Sequence, residues 1–165
     1  MEKYNIRDLL FEELIELTLE AEDFEDAIKK IGEDAYRKGY VKEGFADAVI
    51  KREKLYPTAL PTEVLKVAIP HPMERDTVKK SAIIITKLKT PVDFTLMGSD
   101  NETVPVNIIF TLAVNGAEHQ LTILQKLVGM FSEKESMERI KASTTPKEIM
   151  NSLICLLYTS DAADD

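Results

Sequence analysis

The stretch TVPVNIIFTLAV, Thr103 to Val114, is a nearly unbroken run of β-branched and apolar residues. Such a run predicts a strand that is covered on both faces of its sheet. Pro105 is expected near the start of this strand, where a missing backbone donor is tolerated. A shorter run of the same kind, SAIIITKL from Ser81 to Leu88, predicts a second covered strand.

Three other segments have strand-like patterns. Residues 13–20, ELIELTLE, alternate between apolar and polar side chains, which is the period of a half-buried strand. Residues 65–69 alternate in the same way, and the strand that they predict should end at Pro70. Residues 91–102, PVDFTLMGSDNE, combine a candidate edge strand with a Gly-Ser-Asp-Asn turn.

Two helices are predicted in the N-terminal half of the chain. Asp23 stands in the position of an N-cap before a segment with helical spacing, and Gly39 is expected to stop that helix. A second helix is predicted from about Lys42 to Tyr56 and is ended by Pro57. Its predicted core-facing stripe consists of Phe45, Ala48, Val49, Leu55 and Tyr56.

The period becomes helical again after the Asn-Gly pair at 115–116. A short helix is expected at about residues 137–140, and Thr145, Pro146 and Glu148 supply the N-cap, first-turn proline and capping-box acid of a last helix. The alternation of helices and strands predicts a single α/β domain with a mixed β-sheet flanked by helices. The amphipathic helix that follows residue 116 should bury Leu121, Leu124, Leu127, Val128 and Phe131.

Composition and charge exclude several classes of function. The 165 residues are 44% hydrophobic, which is enough for one domain with a core. The formal net charge is -8, with the basic residues scattered, which argues against a nucleic-acid partner and against an anionic membrane surface. No signal peptide is recognisable, and no apolar run approaches the roughly 20 residues of a membrane span. A single cysteine excludes a disulfide framework and a cysteine-based zinc site. We therefore expect a cytoplasmic protein without membrane insertion.

The last residues differ in character from the rest of the chain. CLLYTSDAADD, Cys155 to Asp165, resembles the translation of a sequencing-library adapter joined to a truncated reading frame. We expect residues 1–154 to form the domain and residues 155–165 to be a non-native tail, with the natural C-terminus missing. A genuine frayed tail is the alternative. No role is assigned to Cys155.

His71 stands between two prolines in KVAIPHPMERD, Lys66 to Asp76. Prolines fix their own φ and bias the preceding residue toward extended geometry, so no helix can absorb this segment. In open α/β sheets, ligands usually bind at the carboxyl ends of the strands, where a strand continues into a loop. Taken alone, a histidine in this context is more often a structural turn residue.

Two other residues could meet His71. His119, the second of the two histidines, is expected in the first turn of a helix, where free N–H groups and the helix dipole suit an anion. Arg52 falls on the apolar stripe of its predicted helix, where a guanidinium needs an anion. The alternative for Arg52 is that it extends to water or pairs with a structural carboxylate.

These residue types allow three kinds of chemistry. A metal site is poorly supported, because no HExxH motif or Cys/His cluster is present. Acid-base hydrolysis is poorly supported, because no serine or cysteine lies in a nucleophile-elbow context. A histidine can also carry a phosphoryl group on one ring nitrogen as a covalent intermediate. The lack of a P-loop or a kinase glycine loop fits a protein that handles phosphate without binding ATP.

Two segments resemble a known family. REKLYPTALPTEVLKVAIPHP, Arg52 to Pro72, is similar to the signature of enzyme IIA components of the bacterial phosphoenolpyruvate-dependent sugar phosphotransferase system, fructose/mannitol class (type 2). The stretch Leu88 to Phe131 resembles the galactitol-type branch through its Pro-Val-x-Phe, Met-Gly and Leu-Ala-Val elements. The chain departs from the family where Thr58-Ala59 replaces the more usual Thr-Gly. The resemblance spans roughly Leu14 to Leu153.

The resemblance implies a function and a role for each candidate residue. Such proteins accept a phosphoryl group from the histidine phosphocarrier protein on the histidine that matches His71. They pass it to a cysteine of the cognate IIB component, which phosphorylates the sugar during transport through IIC. His119 matches the histidine that helps to hold the phosphoryl group, and Arg52 matches the arginine that neutralises its charge. Glu53 matches the neighbouring acid, to which no role is assigned.

The resulting hypothesis is two in-line phosphoryl transfers at a neutral His71, without a metal or a cofactor. The partners should dock on an apolar patch around the His71 loop, with Met73 and Met97 as candidates, although both could equally fill the core or a turn. One alternative is a regulatory nitrogen-branch IIA-like phosphoprotein, also phosphorylated at His71. The other is a non-catalytic ligand-binding α/β module with structural histidines.

Overall fold

Four strands and five α-helices make up the part of the chain described by the computed structural model, which covers residues 6–163, with side chains described up to residue 154. The predicted single α/β domain with a mixed sheet is confirmed. Two 3₁₀ turns, Ile6–Leu9 and Glu12–Leu14, precede the first strand. The elements are then β1 (Ile15–Leu19), α1 (Phe24–Arg37), α2 (Phe45–Leu55), β2 (Val67–Ala68), β3 (Ala82–Thr95), β4 (Thr103–Ala113), α3 (Ala117–Phe131), α4 (Lys134–Ala142) and α5 (Pro146–Ala163).

The sheet has the strand order β1-β3-β4-β2. The two long central strands pair antiparallel, and each short outer strand pairs parallel with its central neighbour. The apolar runs that predicted covered strands are therefore the centre of the sheet, as their composition requires.

Helices cover both faces of this sheet. Alternate residues of the strands point to opposite faces, so each strand contributes to two separate cores. One core packs against α1 and α2 and includes Ile84, Phe94 and Ile109. The other packs against α3, α4 and α5 and includes Ile85, Ile108 and Phe110.

β3 is longer than the sequence predicted. The strand predicted at Ser81 to Leu88 and the candidate edge strand after Pro91 are one continuous strand. The ladder with β4 has an irregular register between Lys87 and Val92, which accommodates the proline. On the other side of β3 the pairing with β1 reaches only Leu88, so Pro91 interrupts no hydrogen bond there.

β2 is shorter than predicted. Only Val67 and Ala68 belong to the ladder, where they pair with Ile108 and Ile109 of β4. The predicted alternation between buried and exposed positions is also wrong, because Ala68 is fully buried against the core formed with α1 and α2. The small side chain at that position allows the sheet to be covered on this face too.

The helix ends agree with the predicted capping signals. The Asp23 side chain accepts a hydrogen bond of 2.8 Å from the backbone N–H of Asp26 at the start of α1. At the start of α5, the Glu148 backbone N–H donates to the Thr145 hydroxyl at 3.2 Å, and that hydroxyl donates to the Glu148 carboxylate. Residues 155–163 continue α5. The side chains of the expected tail, residues 155–165, lie outside the described part, and its non-native origin stays a prediction.

The predicted buried faces of α2 and α3 are partly wrong. The side chains of Leu55, Tyr56, Leu121 and Val128 are 59%, 57%, 57% and 43% exposed. In α2 the buried positions repeat every four residues and include a glutamate, which disguised the core-facing stripe. In α3 apolar residues occur on most of the helix surface, so spacing alone could not identify the buried side. The residues that α3 buries are Ile123, Leu127, Met130 and Phe131.

None of the helices in the described part is both long and apolar enough to cross a membrane.

Candidate phosphoryl-transfer site

His71 lies in the loop that leaves β2, and this loop is tied to the centre of the sheet. The backbone N–H of Leu112 in β4 donates a hydrogen bond of 3.0 Å to the carbonyl of Pro70. Both flanking prolines are buried, and His71 itself is only 5% exposed. The imidazole is therefore held rigidly in a strand-to-loop position, as the sequence predicted.

The hydrogen bond of the His71 ring determines its tautomer. Its Nδ1 lies 2.8 Å from the carbonyl oxygen of Ile69. A carbonyl oxygen can only accept, so Nδ1 carries the ring proton and donates. In the neutral ring, the lone pair available for reaction is then on Nε2.

The His71 ring is neutral at physiological pH. Burial, with the positive charges of Arg52 and Arg75, lowers the pKa of His71 to about 4, against the opposing effect of the hydrogen bond to Ile69. A neutral imidazole with Nδ1 occupied is a nucleophile at Nε2.

His71 and Arg52 line one cavity of about 360 Å³. One wall is formed by the end of α2 and the loop after it, and the other by the turn between β3 and β4. The backbone N–H of Met97 in that turn donates to the carbonyl of Ala59 at 2.9 Å, which holds the two walls together. The residues that line the cavity are Arg52, Leu55, Tyr56, Pro57, Thr58, Ile69, His71, Met97, Gly98, Ser99, Asp100 and Leu124.

Arg52 lies half-buried beside this cavity. Its Nη1 donates to the carbonyl of Tyr56 at 3.3 Å, and its guanidinium carbon lies 5.4 Å from the centre of the Tyr56 ring. Within residues 6–154, no carboxylate forms an ion pair with Arg52. Burial lowers the pKa of Arg52, while the charge of Glu53 opposes that shift. The structural carboxylate considered from the sequence is thus absent within the described residues, and an anion in the cavity could pair with Arg52.

His119 lies in the first turn of α3, as predicted, but is not among the residues that line the cavity. Gly116, with a φ of 98°, turns the chain from β4 into α3. A Cβ atom on Gly116 would lie 3.4 Å from His119 Nδ1, so the glycine leaves room for the imidazole to fold back over the turn. The structure thus brings Arg52 and His71 to one cavity and leaves His119 at the neighbouring helix end.

Glu53 and Thr58 form a buried pair that sequence reasoning missed. Glu53 is 4% exposed and Thr58 is 3% exposed. The Thr58 backbone N–H and hydroxyl each donate a 2.8 Å hydrogen bond to the Glu53 carboxylate, and the Thr58 hydroxyl oxygen accepts a 3.0 Å bond from the Ile69 N–H. The available signal was the spacing of four residues from Val49 to Glu53 on the buried side of α2. Ala59 adopts no positive φ, so this turn does not depend on the glycine that the family usually has.

Arg75 is a second cation that sequence reasoning missed. It follows His71 in the same loop, and its charge contributes to the lowered pKa of the His71 ring. Its Nε is buried and has no hydrogen-bond partner among the residues that the structure describes. The residue could not be singled out beforehand, because basic residues are scattered along the whole sequence.

Part of the surface around the cavity is apolar, although the exposed Asp100 also lines it. Leu55, Tyr56 and Met97 line the cavity and are exposed, and Leu124 connects it to two exposed residues of α3. Met73 is 47% exposed but does not line the cavity. We call the exposed set the apolar rim; it consists of Leu55, Tyr56, Met97, Leu121 and Val128.

A second cavity among the described residues does not offer a competing site with the same chemistry. A cavity of about 430 Å³ lies between β1 and α1, and its lining includes none of the three candidate residues. Among the residues that the structure describes, no group of three or more His, Cys, Asp or Glu side chains could hold a metal ion. The chemistry that the first cavity supports is nucleophilic attack by an imidazole nitrogen beside a guanidinium.

The chain matches a known family over most of its length. Residues 8–154 match the family model described as "Phosphoenolpyruvate-dependent sugar phosphotransferase system, EIIA 2". The chain is 32% identical over 144 residues to the mannitol-specific phosphotransferase enzyme IIA component of Halalkalibacterium halodurans, covering 86% of this chain and 92% of that protein.

Other relatives carry different sugar names. The ascorbate-specific PTS system EIIA component of Shigella boydii is 31% identical over 153 residues, covering 88% of this chain and 93% of the relative. The galactitol-specific EIIA component of Escherichia coli K12 is 30% identical over 118 residues, covering 72% and 77%. Similar identities to relatives with three different names leave the sugar undefined.

Solved structures share the fold. The nitrogen regulatory protein IIA-Ntr of Neisseria meningitidis is 26% identical, with a TM-score of 0.73, covering 90% of this chain and 98% of that one. Enzyme IIAMTL, solved in complex with phosphorylated enzyme IIBMTL from Escherichia coli, is 23% identical, with a TM-score of 0.68 and coverage of 95% and 98%.

Proposed function

Because the chain belongs to the EIIA 2 family of the phosphoenolpyruvate-dependent sugar phosphotransferase system, we propose that His71 is its phosphoryl acceptor. A family member is a phosphotransferase with a phosphohistidine intermediate. The phosphoryl donor is the histidine phosphocarrier protein, and the acceptor is a cognate IIB component that works with IIC in sugar uptake. We propose that the protein works with these partners in the cytoplasm.

One observation carries the assignment of His71. Its ring is buried and neutral, its Nδ1 donates to the Ile69 carbonyl, and it shares a cavity with the guanidinium of Arg52, which forms no ion pair within residues 6–154. A phosphoryl group needs a fixed nucleophile and a positive charge for its oxygens, and this cavity supplies both.

The reaction consists of two in-line transfers. In the first, Nε2 of His71 attacks the phosphorus of the phosphorylated donor histidine. The new N–P bond forms as the N–P bond of the donor breaks, and the donor imidazole leaves with the electron pair. In the second, a cysteine thiolate of IIB attacks the same phosphorus, and the electron pair of the broken bond returns to Nε2 of His71. Arg52 stabilises the charge on the equatorial oxygens.

His119 is assigned a supporting role. Its position in the first turn of α3 places it among free backbone N–H groups at the positive end of the helix dipole. We propose that its ring helps to hold the phosphoryl group after transfer. Leu124 of the same helix lines the cavity, so the N-terminal half of α3 lies beside it, which supports this assignment.

The apolar rim is the proposed docking surface for both protein partners. It lies beside the cavity that contains His71, and exposed aromatic and methionine side chains are enriched in protein–protein interfaces. Met97 belongs to this surface, whereas Met73 is an exposed neighbour outside the cavity.

Galactitol is the proposed sugar of the associated transporter. The support is the Pro-Val-x-Phe, Met-Gly and Leu-Ala-Val elements between Leu88 and Phe131, together with a galactitol-specific relative at 30% identity. IIA components do not contact the sugar, so the test lies with the partner. The protein should transfer phosphate to a galactitol IIB faster than to a mannitol or ascorbate IIB.

The acceptor assignment is tested by intact mass measurement. The wild-type protein, incubated with phosphoenolpyruvate and the two general phosphotransferase proteins, should gain the mass of one phosphoryl group. His71→Ala should gain none, and His119→Ala should gain it more slowly. Equal labelling of wild type and His71→Ala would remove His71 as the acceptor, and an unchanged rate in His119→Ala would remove the role of His119.

A regulatory function is the second candidate, because the nitrogen regulatory protein of Neisseria meningitidis has the same fold at 26% identity. Such a protein would also be phosphorylated at His71 but would not pass the group to a transporter. Loss of the phosphoryl mass on addition of IIB components supports transport. Retention with every IIB tested supports regulation.

A further inference from the structure

Glu53 lies on α2, behind the residues that line the His71 cavity, and does not itself line it. It is buried on α2 next to Arg52, and it is absent from the cavity lining. A buried carboxylate costs free energy unless its oxygens are hydrogen-bonded, and here both oxygens accept from Thr58. The retention of a charge in this position calls for a role beyond packing.

With Glu53 ionised, the hydrogen-bond directions from Glu53 to His71 follow from the donors and acceptors present. An ionised carboxylate has only acceptors, so Thr58 must donate both its N–H and its hydroxyl proton to Glu53. The hydroxyl oxygen has then given up its proton to that bond and is free to accept the Ile69 N–H. The Ile69 carbonyl in turn accepts from Nδ1 of His71.

Ile69 depends on this chain of hydrogen bonds more than an ordinary strand residue would. The β2 ladder includes only Val67 and Ala68, so the Ile69 N–H has no sheet partner in it. Pro70 follows and offers no donor of its own. The Thr58 hydroxyl is therefore the group that anchors the Ile69 backbone directly before the active-site loop.

From this geometry we propose that Glu53 is a positioning residue: acting through Thr58 and Ile69, it holds the His71 ring with its proton on Nδ1 and its lone pair on Nε2. The kinetic consequence rests on the proposed function of His71, whereas the effect on the ring does not. Burial raises the pKa of Glu53, while the two hydrogen bonds from Thr58 and the charge of Arg52 oppose that shift. These opposing interactions favour the ionised carboxylate, which is the form that accepts both hydrogen bonds.

The test uses Glu53→Gln and Thr58→Val in the full chain, with Thr58→Ser as the matched control. The two Thr58 donors bind different oxygens of Glu53, and in glutamine an NH2 donor replaces one of these oxygens, so one of the two hydrogen bonds is lost. Valine keeps the shape of threonine without its hydroxyl. Long-range ¹⁵N–¹H spectra of the imidazole report the tautomer. We expect a dominant Nδ1–H form in the wild type and in Thr58→Ser, and a mixture of both tautomers in Glu53→Gln and Thr58→Val.

Phosphoryl transfer supplies the second measurement. In the two disruptive variants kcat should fall by about 10- to 100-fold, as expected for a displaced nucleophile, with the KM for the phosphocarrier unchanged because the docking surface is intact. Thr58→Ser should retain the wild-type kcat. A merely structural role would lower the melting temperature without altering the tautomer.

The outcomes separate this inference from the proposed function. An unchanged tautomer and an unchanged kcat in folded Glu53→Gln and Thr58→Val would overturn the positioning role. A wild-type protein that accepts no phosphoryl group would defeat the proposed function, and the ring spectra would still decide the role of Glu53.

Discussion

Arg52 on α2 and His71 after β2 line the same cavity, and the positive charge of Arg52 adds to the effect of burial in lowering the pKa of His71 to about 4. The guanidinium thus stabilises both the neutral His71 ring before transfer and the phosphorylated ring after it. Before transfer it disfavours the protonated, non-nucleophilic ring, and after transfer it attracts the phosphoryl oxygens.

Replacing Arg52 should alter both states. In Arg52→Gln the pKa of His71 should rise, and phosphoryl acceptance should slow by about 100-fold, the loss typical of removing one charge-stabilising donor. Arg52→Lys keeps the charge but not the planar donor pair. The pKa of His71 should therefore stay close to its wild-type value, whereas phosphoryl acceptance should still slow. The measurements are a titration of the His71 ring by NMR and the rate of phosphorylation. Arg139→Gln, on the distant α4, is the control; a similar change in that variant would contradict a specific role for Arg52.

The pKa of His71 also predicts how stability depends on pH. In the unfolded chain His71 has its ordinary pKa of 6.5, whereas in the folded protein its pKa is about 4. Between these values the unfolded state holds more protons, so the free energy of unfolding falls as the pH is lowered. His71 alone should account for about 3 kcal/mol over this window.

His71→Gln removes this titration and tests the sign. The variant should lose less stability than the wild type between pH 6.5 and 4, with a slope smaller by up to about 1.4 kcal/mol per pH unit. Denaturant unfolding at several pH values measures it. Burial raises the pKa of Glu53, so its contribution to the free energy of unfolding changes with pH in the opposite direction to that of His71. This contribution is the same in the wild type and in His71→Gln and cancels in the comparison. A difference between the two proteins that does not change with pH would contradict the lowered pKa of His71.

Sequence patterns were sufficient for the parts of the fold that depend on local chemistry. The apolar composition of β3 and β4 identified the central strands, and the capping residues Asp23 and Thr145 identified two helix starts. The position of His71 was also predictable, because two prolines leave few backbone conformations.

The remaining features depend on contacts between distant segments. The core-facing side of α2 includes the charged Glu53, which only its bonds to Thr58 make tolerable, so an apolar pattern could not reveal it. The continuity of β3 through Pro91 depends on where its pairing with β1 ends. The cavity itself depends on the contact between Met97 and Ala59, which come from separate loops.

The apolar rim predicts a binding defect without a folding defect. Leu121 is 57% exposed, so Leu121→Asp should leave the melting temperature nearly unchanged. If partners dock on this surface, the KM for the phosphocarrier should rise by about tenfold or more with kcat retained, since loss of a central apolar contact costs more than about 1 kcal/mol. Tyr36→Asp is the matched control, because Tyr36 is 49% exposed on α1 and outside the rim. Equal effects of the two substitutions would exclude the rim as the docking surface.

The contact between α1 and α2 predicts a coupling between packing and activity. A Cβ atom on Gly32 would lie 2.7 Å from Ala46 Cβ, so Gly32→Ala must separate the helices, at a cost of about 1–3 kcal/mol that exceeds the gain in helix propensity. Because α2 carries Arg52 and Glu53, this variant should also accept phosphate more slowly. Gly129→Ala, in an exposed part of α3 with nothing within 4 Å, should instead stabilise the protein by about 0.5–1 kcal/mol and leave the rate unchanged.

A compensating change distinguishes this packing effect from a general loss of stability. Adding Ala46→Gly to Gly32→Ala removes the methyl group at 2.7 Å and leaves only the tight contacts with the backbone Cα and N of residue 46, at 3.1 and 3.3 Å. The double variant should therefore recover most of the helix separation and with it most of the rate of phosphoryl acceptance. Stability should recover less completely, because glycine within α2 lowers helix propensity by about 1 kcal/mol. Recovery of rate without full recovery of stability would show that the position of α2 sets the activity. If the rate instead follows the melting temperature through all three variants, the distance between α1 and α2 has no separate influence on the site.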